Sequence, residues 1–152
     1  MKKYIISIIA CLLFAVCANA ATYTPIAPCR ILDTRVNAIP PAVFATPLDA
    51  GTTYGYNYLS FGCIPTPNGD PHATAIAANI TVINASAPGF LVLWPDLTPM
   101  PGTSNINFSA GQVLDNSAII GVGTNDYFDI HYVHSLGATV DITIDVVGYF
   151  SN

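Results

Sequence analysis

Cys29, Arg30, Asp33 and Arg35 fall within one seven-residue run, CRILDTR. Its Leu-Asp-Thr centre has the form that carries the catalytic carboxylate of aspartic proteases. That chemistry needs a second aspartate, so that two carboxylates share one proton. It also needs glycine after Asp-Thr, where Arg35 stands, and no second motif is present. The run therefore points to ion pairing rather than proton transfer. On a regular strand Asp33 and Arg35 project to one face and Arg30 to the other. A carboxylate elsewhere, with Asp145 as the candidate, is expected to take one of the arginines. Guanidinium forks suit hydrogen-bonded pairing of this kind.

Other constellations are weaker. The stretch DYFDIHYVH holds Asp126, Asp129, His131 and His134. Asp129 and His131 share a strand face, and His134 faces the other way. A metal there needs a third ligand from another strand. Calcium is the one cofactor with any sequence support, through NGD at 68–70 or GTND at 123–126, but it takes six to eight oxygens from converging loops. Two cysteines and three histidines have no zinc spacing, and no Gly-x-Ser-x-Gly elbow occurs. Trp94 offers a stacking platform for a sugar, and Tyr54, Tyr56 and Tyr58 an aromatic strip on one strand face. Core packing uses the same residue types, and strand-end or core packing is the expectation for Trp94.

The elements that must position these residues follow an export signal. Lys2 and Lys3 precede an apolar stretch from Tyr4 to Val16, too short to span a bilayer, and Ala18-Asn19-Ala20 fits a cleavage site. Cleavage is expected after Ala20, leaving residues 21–152 as one domain with no membrane span. Arg30 and Arg35 are then the only cations against nine aspartates, a net charge of −7. A nucleic-acid partner would require a basic surface that is absent, and anionic membranes are disfavoured likewise. Cys11 and Cys17 leave with the signal. Cys29 and Cys63 remain as an even pair in an oxidising compartment and are expected to bond to each other.

Within 21–152 glutamate and lysine, both good helix formers, are missing, while proline, glycine, asparagine and threonine are frequent. Eight short β-branched and aromatic runs alternate with turn residues. The clearest is TVDITIDVVGYF, with Val140, Ile142, Ile144 and Val146 on one face and Asp141, Thr143 and Asp145 on the other. In ATAIAANITVINA, Ile76, Ala78, Ile80 and Val82 share a face. The expectation is an all-β fold: an antiparallel sandwich of about eight strands, jelly-roll or Greek-key-like, with one disulfide.

Several segments in fixed order resemble a domain common in secreted bacterial proteins, where it occurs alone or appended to extracellular modules. They are PCRILDTR, GCIP, AANITVINASAPGFLVLWP, TSNINFSAGQVLDNSAIIGVG and DITIDVVGYF. In that pattern glycine follows the second cysteine; here Gly62 precedes Cys63. The resemblance spans nearly all of 21–152. It implies a secreted β-domain with Cys29 and Cys63 paired, and it supplies no catalytic residues. The charges of Arg30, Asp33, Arg35 and Asp145 suit a scaffold. The expected function is an exported, non-catalytic binding or structural module, periplasmic or at the cell surface, contacting protein or glycan. A self-assembling subunit of an extracellular matrix or filament is the alternative, and a small secreted hydrolase the second.

Overall fold

A computed structural model describes residues 20–35, 46–65 and 73–152. The expected signal peptide, the NGD loop and most of the proline-rich stretch after Arg35 lie outside these residues. Nine strands form among the described residues: β1 (Thr22–Asp33), β2 (Leu48–Asp49), β3 (Thr53–Asn57), β4 (Ala73–Ile83), β5 (Gly89–Pro95), β6 (Ile106–Phe108), β7 (Leu114–Gly121), β8 (Tyr127–Val133) and β9 (Thr139–Ser151). A 3-10 turn, Tyr58–Phe61, is the only helical piece among the described residues.

Two antiparallel sheets result. One has the order β1-β9-β4-β7, with β2 adding two residues beside the start of β9; the other is β3-β8-β5-β6. Setting β2 aside, pairing is nested: β1 with β9, β3 with β8, β4 with β7 and β5 with β6. That nesting is a jelly roll, a double sheet that buries its inner faces against each other. Strand alternation places Ile76, Ile80, Val82, Val140, Ile142, Ile144 and Val146 inward from one sheet. Leu91, Leu93, Phe128, Ile130 and Tyr132 meet them from the other, and all are buried. Each such side chain stabilises by roughly 1.5–3 kcal/mol through burial.

β1 starts seven residues before the expected run and ends just inside it. Its only strand partner among the described residues is β9, so it is an edge, and an edge tolerates Pro25 and Pro28, which lack an N–H. The tyrosine strip is not a surface. β3 stops at Asn57, whose side chain accepts a hydrogen bond from the Leu59 N–H and starts the 3-10 turn. Tyr58 therefore lies outside the strand, and both it and Tyr56 are buried. Tyr54 packs partly against the core and donates to Asp49 Oδ2 at 3.2 Å.

Candidate functional site

The charged residues of CRILDTR converge on the outer face of the five-stranded sheet. The register of β1 against β9 shifts between Arg30 and Leu32, so Ile31 is the extra residue of a bulge. A bulge resets side-chain alternation by one. Ile31 and Leu32 are both buried in consequence, and Arg30 comes round to the same face as Asp33. The expectation that Arg30 faces away from Asp33 is thus corrected, because it assumed an unbroken strand.

The outcome is one closed network. Arg30 Nε and Nη2 donate to Asp145 Oδ1 and Oδ2, both at 2.9 Å, a bidentate fork. Arg30 Nη1 reaches Asp33 Oδ2 at 3.1 Å. Arg35 Nε donates to Asp33 Oδ1 at 2.8 Å and Arg35 Nη2 to Asp33 Oδ2 at 2.5 Å, with the Arg35 backbone N–H adding a third bond at 3.2 Å. The Arg35 hydrogen bonds hold the Asp33 carboxyl below the usual range despite its burial. Asp145 raises the Arg30 guanidinium further.

Thr34 is fully buried. Its hydroxyl donates to Asp141 Oδ1 at 3.0 Å and accepts from the Ile142 N–H at 2.8 Å. Asn84, in the left-handed backbone region, donates from Nδ2 to Asp141 Oδ2 at 3.1 Å. Cys29 is bonded to Cys63, which the 3-10 turn and left-handed Gly62 deliver to β1. Sequence reasoning missed Thr34, Asn84 and Asp141 as partners. A buried threonine between two charged residues was the available signal, since an interior hydroxyl must find a bond.

The network continues across the sheet as two polar rows. Arg30, Asp145, Asn79 and Ser117 stand opposite one another on β1, β9, β4 and β7, as do Asp33, Thr143, Thr81 and Asp115. Ser117 Oγ donates to Asn79 Oδ1 at 3.3 Å. Chemically, a carboxylate that accepts four guanidinium and backbone N–H bonds is a poor proton acceptor. The arrangement joins strands.

The second sheet and its loops carry the remaining candidates. Trp94 is 6% exposed, its Nε1–H donating to the Thr98 carbonyl at 3.0 Å. It packs instead of presenting a ring, and because Leu91 and Leu93 point to the core, it points away from it. Asp129 stands over Gly55, opposite Trp94. Burial, then the nearby Asp96 carboxylate, pushes the Asp129 carboxyl up. Asn125 Nδ2 ties the 122–126 loop to Asp96 Oδ2 at 2.6 Å. His131 Nδ1 meets Thr53 Oγ1 at 2.9 Å, and Asp126 Oδ1 accepts from Tyr58 at 3.2 Å. His134 stacks beside Tyr132, ring centroids 6.1 Å apart. No three of histidine, cysteine and aspartate converge as metal ligands among the described residues. No helix among them is long and apolar enough to cross a membrane.

The chain matches no protein-family profile, no curated protein and no solved structure.

Proposed function

We propose that the protein is an exported, non-catalytic binding or structural module that works outside the cytoplasm, contacting protein or glycan at the cell surface. One observation carries this reading. The three charges of the most distinctive motif are consumed among themselves and by Asp145 of β9, Arg30 and Arg35 against Asp33 and Asp145, which leaves a cross-linked scaffold instead of a reactive group. The Cys29–Cys63 disulfide supports an oxidising compartment. The basic, apolar and small-residue order of residues 1–20 supports signal-directed export. Resemblance to secreted bacterial β-domains points the same way.

Two measurements test it. Expressed with its first twenty residues, the chain should be recovered from periplasm or medium, cleaved after Ala20 and without free thiols. Recovery from cytosol, uncleaved and with four reactive thiols, would sink the export claim. The exported chain should then bind a glycan array or intact cells and release no product in a generic hydrolase screen. Turnover lost on Asp33→Asn in a folded protein would replace the binding reading with an enzymatic one.

A further inference from the structure

Setting aside the two-residue β2, four strands of the double sheet have a free side among the described residues, and three of them are protected. β1 carries Pro25, Pro28 and two register shifts; β3 has five residues with Gly55 at its centre; β6 has three. Prolines, bulges and shortness are the devices by which edge strands avoid one another. β7 has none of them. It pairs only with β4, through eight consecutive partners and without a shift. It contains no proline and no lysine, and Asp115 is its one ionisable residue. Ile119, on its outer face, is 66% exposed. Beside it a shallow apolar groove is formed by Ala77, Ala118, Ile119 and Val147.

We propose that β7 is an interaction edge and that its occupant is β7 of a second copy, joined antiparallel about a two-fold axis into one continuous sheet. The chemistry selects a strand, because an antiparallel edge presents N–H and C=O groups in alternation and only an extended backbone answers both. The one charge on the strand leaves pairing with its own copy open. A two-fold axis at residue 117 or 118 sets Asp115 opposite Ile119 or Gly121 of the second copy. At about 3.4 Å per residue the two Asp115 carboxylates then stand roughly 14–20 Å apart, beyond the Debye length of about 8–10 Å. The pairing is isologous and closes on itself, giving a dimer and not a fibre. It brings the two Ile119 side chains onto one face beside the two apolar grooves. It holds whether or not the domain also binds a glycan.

The test is sedimentation equilibrium on the disulfide-bonded chain recovered from an exporting host. The expected result is a monomer–dimer equilibrium that tightens with added salt, since each copy is net negative. Ile119→Asp should weaken the dimer at least tenfold while circular dichroism and melting temperature stay near the parent's. Should that variant fail to fold, Ser117→Asp places the same charge on the same face of the strand. Monomer at every concentration reached overturns the proposal. So does a dimer that survives both variants, or one broken instead by Leu136→Asp on the β8–β9 loop, an exposed side chain beside Gly51.

Discussion

Arg30 grips Asp145 through two parallel hydrogen bonds across the β1–β9 pair, and its third donor reaches Asp33 three residues along its own strand. A lysine keeps the charge and loses the fork. Arg30→Lys is therefore expected to destabilise the fold by about 1 kcal/mol, a value kept low because the arginine is partly exposed. Urea unfolding should show a lower midpoint with an unchanged slope. An unchanged midpoint would mean that the fork is not needed.

Acid should loosen the same network. Asp33 is held below its ordinary value of 3.8 in the folded state, so its stabilisation is present above that value and is lost as pH falls through the lower folded value. Asp129, raised by burial and Asp96, acts with the opposite sign: its stabilisation is present below 3.8 and is lost as pH rises through its higher folded value. Melting temperature measured against pH should fall less steeply below pH 3.8 in Asp33→Asn than in the parent. Asp129→Asn should lose less stability than the parent on going from acid to neutral pH. Curves parallel to the parent's in both variants would contradict the assignment.

The disulfide closes a loop across a sequence separation of 34 residues. The chain-entropy estimate for that loop is about 4 kcal/mol. Cys29→Ser with Cys63→Ser should lower unfolding free energy by about that much, and the parent should show no reactive thiol from either residue before denaturation and reduction.

Gly148 is demanded by a neighbour. A β-carbon there would run into the Tyr23 ring, which lies over the glycine and against Phe150 at a centroid distance of 5.1 Å. Gly148→Ala should cost about 1 kcal/mol, the low end for overpacking, because the atoms met are the far end of Tyr23, which is 44% exposed, and less in a Tyr23→Ala background. Additive effects in the double-mutant cycle would show that the two do not touch.

Where side-chain alternation is unbroken, the sequence reads directly into structure. Alternate residues from Ile76 to Val82 and from Val140 to Val146 face inward as the period of two requires, and β8 falls within the stretch DYFDIHYVH. Legibility fails where local geometry breaks that period. The bulge at Ile31 moved Arg30 to the face of Asp33, and the Asn57 cap took Tyr58 off its strand. The two-residue β2 has too few residues to show a period at all. Partners separated by more than a hundred residues, such as Thr34 and Asp141, carry no local signal. They meet because the first and last strands are neighbours.

That last arrangement governs how the chain can reach its final form. β9 follows the other eight described strands in the chain, yet it is the strand against which both β1 and β4 align. Until it emerges from a ribosome or a translocation pore, those two strands lack a common neighbour and β1 has no strand partner. Contacts of such long sequence separation make assembly slow and late. Cys29 and Cys63 both lie in the first half of the chain, so the covalent link can close while the sheet it will brace does not yet exist.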